Sequence, residues 1–383
     1  MKQYNQFDIA EHDLGLTFDD INIIPAYSEI VSRKDISTRT RLVGDIYLDN
    51  PIIPANMDTI TDVDMMVTAA RNGSIAFLHR FMDVNDTLRK LQQFCDTSNM
   101  PYGQAPIGVS VGIGDNEIYR ARKAIEFFMA RQILGPSHLS ERMVILIDVA
   151  HAHNKRTIAA CKEICALIRV AGLEDKIFVI VGNIATGTAA RALLEAGARG
   201  LKVGIGNGSL CETRIRTGAG VPQISALADI YIMLHNFSGS SKESLPTIMA
   251  DGGVKYPGDV VKALWLFADT VMSGYMFAGT NETPGETMKK GLFPNEYEIK
   301  MYRGSASHAS KVDRGESSNI EGNVKEIPSR GPVQYVFDQI RDGIQSGFSY
   351  VGARDVNEFR GKATVTVITS NGVVEARPNL LER

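Results

Sequence analysis

Eight short apolar, β-branched runs separated by helix-length stretches predict a (β/α)8 barrel for this 383-residue chain. The runs are residues 51–57, 74–79, 106–112, 143–149, 176–182, 200–205, 245–250 and 269–276. Most are apolar without alternation, the pattern of parallel strands covered on both faces. Amphipathic segments such as 154–171 and 188–196 lie between them. Eight such units in about 250 residues fit a closed barrel better than a doubly wound sheet.

The residues at the carboxyl end of each run support the same fold. The first run ends on Asn56-Met57-Asp58, the fourth reaches Asp148 and the fifth ends on Gly182-Asn183. The sixth runs into a glycine-rich loop, 206–213, the seventh precedes Asp251-Gly252-Gly253, and the eighth contains Gly274-Tyr275. In (β/α)8 barrels the rim at the strands' carboxyl ends carries the active site, with phosphate bound after strands seven and eight. Two regions lie outside the repeat. Residues 1–50 read as an amino-terminal extension, with Leu16-Thr17-Phe18-Asp19-Asp20 its most structured part. Residues 281–330 are longer and more polar than an ordinary loop, which predicts an active-site flap. The connection from His79 to Pro106 is only helix-sized, leaving no room for an inserted domain. Residues 1–383 are therefore expected to form one domain.

Composition removes several classes of function. With 44% hydrophobic and 22% charged residues the chain reads as a globular protein, and its net charge of −3 gives no reason to expect nucleic acid or an anionic membrane as partner. No apolar run approaches the roughly 20 residues of a membrane span, and the first residues have no apolar signal core. Cys95, Cys161, Cys165 and Cys211 are too few and too scattered for a disulfide framework. A reducing, cytoplasmic location is the expectation. Cys161 and Cys165 are four apart in a helical segment without a His or Asp at ligand spacing, which predicts helix packing rather than a metal pair.

The most informative segment is 200–217. A buried-strand pattern, Leu201-Lys202-Val203-Gly204-Ile205, runs into a loop holding Gly206, Gly208, Ser209, Cys211 and Thr213. Alternate glycines let backbone turn sharply and approach a ligand closely. A cysteine at such a strand end, beside Arg214 and Arg216, is placed to act as a thiolate nucleophile.

The string Gly204-Ile205-Gly206-Asn207-Gly208-Ser209-Leu210-Cys211-Glu212-Thr213-Arg214 resembles the cysteine loop of the IMP dehydrogenase and GMP reductase family. The likeness extends over almost the whole chain, through Asn56-Met57-Asp58-Thr59, Gly182-Asn183-Ile184-Ala185-Thr186, Thr217-Gly218-Ala219-Gly220-Val221-Pro222-Gln223, Asp251-Gly252-Gly253 and Tyr302-Arg303-Gly304. The resemblance implies a purine-nucleotide oxidoreductase in which Cys211 attacks C2 of the purine, Thr213 assists proton transfer, and a nicotinamide cofactor exchanges hydride at the same carbon. It further implies that Asp251 holds the ribose hydroxyls, and that Ser209, Gly253, Gly274, Tyr275 and Tyr302 surround the 5′-phosphate. Asn56, Gly252, Gly304, Ser305 and Gly322 fall on the same substrate-binding motifs. Asp148, Asn154 and Arg80 fall at cofactor positions, with Arg80 placed to meet the 2′-phosphate of NADPH. Carbonyls of Gly206, Gly208 and Cys211 correspond to a potassium site found in parts of the family. Family members are usually homotetramers.

Within the family the chain looks more like a GMP reductase. No regulatory insertion of the CBS type is present, and residues 304–321 contain no Arg-Tyr pair to activate water, as a dehydrogenase flap would. The segment 321–333 resembles the short reductase flap, which puts Glu321 on the glutamate that helps protonate departing ammonia. NADPH is the cofactor this implies. Other residues lean towards IMP dehydrogenase, for which the cofactor would be NAD: the segment 278–286, and His151-Ala152-His153-Asn154. Asn207 stands where the family commonly has proline, and Glu212 sets a carboxylate beside the nucleophile. A related purine nucleotide as substrate, or a nucleotide-binding protein without catalysis, stays open at this level. Intact Cys211, Thr213 and Glu321 weigh against the latter.

Overall fold

All eight apolar runs become strands of one parallel sheet, and its order sets the architecture. In chain order they are β1 (Ile52–Pro54), β2 (Phe77–Leu78), β3 (Ile107–Val111), β4 (Met143–Asp148), β5 (Ile177–Ile184), β6 (Gly200–Val203), β7 (Thr247–Asp251) and β8 (Thr270–Ser273). The hydrogen-bonded order runs β1-β8-β7-β6-β5-β4-β3-β2, so β8 returns to pair with β1 and the sheet curls into a nearly closed (β/α)8 barrel. This computed structural model describes residues 1–97, 105–133, 141–237, 245–292, 294–304 and 322–376.

A helix follows each strand: α1 (Val63–Arg71), α2 (Val84–Thr97), α3 (Asp115–Ile133), α4 (Lys155–Val170), α5 (Gly187–Glu195), α6 (Gln223–Phe237), α7 (Pro257–Trp265) and α8 (Gln334–Ser349). Local chemistry starts several of them. Asp62 accepts the Val63 N–H at 2.8 Å, and the Asn154 and Thr186 side chains accept from the third helical residue of α4 and α5. Cys161 is fully buried in α4 with its thiol against the Ala196 carbonyl at 3.7 Å, in the packing role its spacing predicts. Between β2 and β3 the described residues hold α2 alone.

Two apolar layers follow from alternation along the strands. Val144, Leu146, Phe178, Ile180, Met249 and Met272 join Ile53 and Phe77 in the barrel interior, while intervening residues such as Ile145 and Val179 pack under the helices. Leu42, Val43, Ile46 and Leu48 from an amino-terminal hairpin (Thr40–Val43 with Ile46–Leu48) join the same interior cluster. Thr247, the first residue of β7, donates to the Leu42 carbonyl at 2.6 Å, which puts this hairpin at the barrel's amino-terminal end. It acts as a stopper, and the opposite end stays open.

The described part of the polar region after β8 includes regular structure. It contains three antiparallel strands, β9 (Met288–Lys290), β10 (Tyr297–Arg303) and β11 (Val324–Pro328). Ser305 and Glu321 both lie outside the described residues. No helix among the described residues is long and apolar enough to cross a membrane.

Candidate active site

Strand β6 ends at Val203, and the chain then makes turns that side chains resist. Gly204 has φ +148° and a Cβ there would lie 2.0 Å from the Asp251 carbonyl, while Gly206 has φ +81° with the Arg214 side chain packed against it. These turns bring the loop across the open mouth. Asn207 donates to the Gln223 side-chain oxygen, and Gln223 in turn donates to the Val203 carbonyl at 2.8 Å. The position where proline is common thus uses a hydrogen bond to brace the loop.

Cys211 is half-buried, and its thiol donates to Thr213 Oγ1 at 3.1 Å. Its backbone pairs with Gly322 in an isolated antiparallel bridge, and Asn323 N–H donates to the Leu210 carbonyl at 3.1 Å. Gly304 N–H donates to the Asn323 carbonyl at 2.9 Å, so the ends of segment 305–321 both meet the chain at the cysteine loop. Glu212 is turned to other partners: it takes Arg216 Nε at 2.6 Å and Asn323 Nδ2 at 3.4 Å. Arg214 reaches the Val221 carbonyl at 2.8 Å. The flanking arginines therefore brace the loop, and Thr213 is the side chain bonded to the thiol.

Two cavities meet at this thiol. One, of about 250 Å³, is lined by Ser209, Gly253, Gly274, Tyr275, Tyr302, Gly304 and Gly322. The other, a cleft of about 770 Å³, is lined by Asn56, Arg80, Asp148, Asn183, Lys202 and Gly206. Cys211, Thr213, Gly208, Asp251 and Gly252 line both. In the smaller cavity Ser209 Oγ and Tyr302 Oη are 3.2 Å apart, and burial pushes the Tyr302 phenol up to about 12. A Cβ on Gly274 would come within 2.5 Å of that phenol oxygen, so only glycine leaves this wall open.

The larger cleft is organised by a lysine that the sequence alone does not single out. Lys202 points inward from β6 with 3% exposure, 2.8 Å from Asp148 Oδ1 and 2.5 Å from Asp251 Oδ2. Asn56 donates to the other Asp148 oxygen at 2.8 Å and to Ser110 at 3.0 Å, and Asn183 donates to Asp251 at 2.8 Å. Burial works against all these charges. The two carboxylates nonetheless outweigh it and raise the Lys202 pKa, while Lys202 and Asn56 outweigh it and hold Asp148 below the ordinary carboxylate range. The cluster is charged and bonded throughout. Its only signal in the sequence is a lysine inside an otherwise apolar strand.

The remaining cofactor positions separate. Arg80 lines the larger cleft with its guanidinium 4.9 Å from the Phe81 ring centroid, and its buried Nε has no hydrogen-bond partner. Asn154 instead caps α4, donating to the His151 carbonyl at 2.7 Å and accepting from Thr157 N–H at 3.0 Å. Among the described residues, no group of three or more His, Cys, Asp or Glu could hold a metal ion.

Comparisons with known proteins agree with this geometry. Residues 15–379 match the model of the IMP dehydrogenase / GMP reductase domain. The chain is 33% identical to an inosine-5′-monophosphate dehydrogenase of Cryptosporidium parvum, over 96% of each chain. It is 31% identical to a GMP reductase of Clostridium acetobutylicum, over 90% of this chain and 93% of that one. The crystal structure of a cysteine-to-alanine form of Trypanosoma brucei GMP reductase, in complex with guanosine 5′-monophosphate, superposes with a TM-score of 0.80 at 25% identity, covering 97% of this chain and 99% of the other.

Proposed function

Because the chain belongs to the IMP dehydrogenase / GMP reductase family of oxidoreductases, we propose that it converts GMP to IMP and ammonia with NADPH, through a covalent intermediate on Cys211. The observation that carries this reading is the meeting of two cavities at one thiol bonded to a hydroxyl. A nucleotide in the smaller cavity and a second reactant in the larger would face each other across Cys211.

The residues divide the work. Cys211 Sγ adds to C2 of the purine, and the C2–N bond breaks to release ammonia, leaving a thioimidate. Thr213, bonded to the thiol, takes and passes on the proton, and Glu321 completes the relay to the leaving amine. NADPH, held in the larger cleft beside Arg80 and Asp148, would supply hydride to that carbon, with the C–S bond breaking to return the free thiol at Cys211. Asp251 binds the ribose hydroxyls, with its carboxylate orientation fixed by Lys202 and Asn183. Ser209, Gly253, Gly274, Tyr275 and Tyr302 enclose the phosphate, alongside Gly252, Gly304, Ser305 and Gly322.

The larger cleft fits a phosphorylated dinucleotide through Arg80, whose buried Nε has no protein partner. Potassium coordination by carbonyls of Gly206, Gly208 and Cys211 belongs to the same proposal; Gly208 O already accepts the Cys211 N–H at 3.0 Å and keeps one lone pair. So do a single catalytic domain, a homotetramer and a cytoplasmic location.

The choice of reductase rests on sequence: residues 304–321 carry no Arg-Tyr pair, and Glu321 precedes Gly322, which pairs with Cys211. Two dehydrogenase-like segments, 278–286 and His151-Ala152-His153-Asn154, favour a second reading, NAD-dependent oxidation of IMP. Purified protein given GMP and NADPH should release one ammonia for each NADPH consumed. Formation of NADH from IMP and NAD, with no ammonia from GMP, would establish the second reading instead.

A further inference from the structure

Two cations from the strands beyond β8 gather the carbonyls of a single short segment. Arg330, just beyond β11, donates through Nη1 to the carbonyls of Tyr275 at 2.8 Å and Met276 at 3.3 Å. Its guanidinium also lies 4.9 Å from the centroid of the Tyr275 ring. Lys300, on β10 and 4% exposed, donates to the carbonyls of Thr280 and Asn281 at 3.1 Å each and of Thr283 at 2.7 Å. Backbone bonds reinforce the seam: Arg330 N–H to the Gly279 carbonyl at 2.8 Å, and Asn281 N–H to the Gly331 carbonyl at 2.9 Å.

The captured segment begins at the wall of the smaller cavity. Gly274 and Tyr275 line that cavity, and a helical turn leaves from them, with Ala278 N–H bonded to the Gly274 carbonyl at 2.9 Å. Such a turn presents amides at its start and leaves carbonyls unpaired at its exit. A cation at the exit satisfies those carbonyls and favours the turn. Arg330 does so from a distant part of the chain, with one nitrogen, Nη1, shared between the Tyr275 and Met276 carbonyls. The cation–π contact with the Tyr275 ring adds a second tie between Arg330 and the turn.

We infer that Arg330 is a positioning residue for the nucleotide's phosphate: it touches no substrate, but it fixes the Gly274–Tyr275 turn on which the phosphate rests. This rests on the proposal that the smaller cavity takes the 5′-phosphate. It adds that the sheet after β8 is part of the substrate site's framework, joined to it through Arg330. A mobile turn would have to be ordered at each binding event, at a cost in affinity for the phosphate and not for the base or ribose.

The test is calorimetric titration of GMP and of guanosine into the wild type, Arg330→Met and Arg330→Lys, without cofactor. Arg330→Met should bind GMP about tenfold or more weakly, the scale of one charged hydrogen bond, while guanosine affinity stays the same. Arg330→Lys should recover part of the loss. Unchanged guanosine binding also certifies the fold of the variants. Equal losses for both ligands, or no loss for GMP, would overturn the inference. If the wild type bound GMP no more tightly than guanosine, the phosphate assignment of the cavity would fail, and the inference with it.

Discussion

Lys202 Nζ lies 2.5 Å from Asp251 Oδ2 and, with the same ammonium, 2.8 Å from Asp148. Asp251 lines both cavities and Asp148 only the larger, so one buried cation ties together carboxylates from the two cavities. Burial works against the Asp148 charge, and Lys202 is the largest influence that offsets it.

Replacing Lys202 by Met should therefore do more harm than loss of one contact. It leaves two half-buried carboxylates without their shared cation, at a cost of about 1 to 3 kcal/mol. Denaturant melts should report that loss. Turnover should fall at least a hundredfold as Asp251 loses its orientation, and a variant with near-wild-type kinetics would remove Lys202 from the site.

The same cluster sets a pH dependence with a definite sign. Asp148 is held below its ordinary 3.8, so its contribution is complete above that value and is lost as pH falls through the lower folded value. Lys202 is raised above 10.5, so its contribution is complete below that and is lost only as pH rises through the higher folded value. For this cluster the wild type should be level between these limits. In Lys202→Met the burial that raises Asp148 loses its main opposing charge, so the variant should gain stability as pH falls from neutral towards the acid range. Melting temperature against pH, measured on both proteins, checks the level wild-type line against the slope of the variant.

Gly204→Ala tests the turn that carries the cysteine loop over the mouth. Its φ of +148° and the 2.0 Å approach of a Cβ to the Asp251 carbonyl leave no room for adjustment without moving Asp251. A stability loss of about 1 to 3 kcal/mol is expected, with a raised KM for the nucleotide. Thermal melts and steady-state kinetics together would reveal a tolerated alanine, which the geometry forbids.

Arg80→Met tests the cofactor. If the guanidinium meets a 2′-phosphate, kcat/KM with NADPH should fall by about 10- to 100-fold, the worth of a charged hydrogen bond, while activity with NADH barely changes. Parallel losses with both cofactors would assign Arg80 to the part they share.

The barrel was legible because strands covered on both faces must be apolar throughout, and runs such as 143–149 and 176–182 have no other use. The cysteine loop was legible because glycines at 204, 206 and 208 leave a pattern in the chain. The features that were not legible depend on contacts between distant segments. Nothing near Leu42 announces that its hairpin closes the far end of the barrel. β9 is exposed at every position, Met288-Lys289-Lys290, so it has no apolar pattern to read. Lys202 lies within a buried-strand pattern, and its meaning needed Asp148 and Asp251, 54 residues before and 49 after it. The capping bonds of Asn154 likewise appear only once the helix is in place.

The most direct measurement is the mass of the peptide carrying Cys211 after acid quenching during turnover with GMP and NADPH. A nucleotide adduct on Cys211, formed with loss of ammonia and absent in Cys211→Ala, is the predicted result. Steady turnover with Cys211 unmodified, or full activity in Cys211→Ala, would contradict covalent catalysis at this thiol.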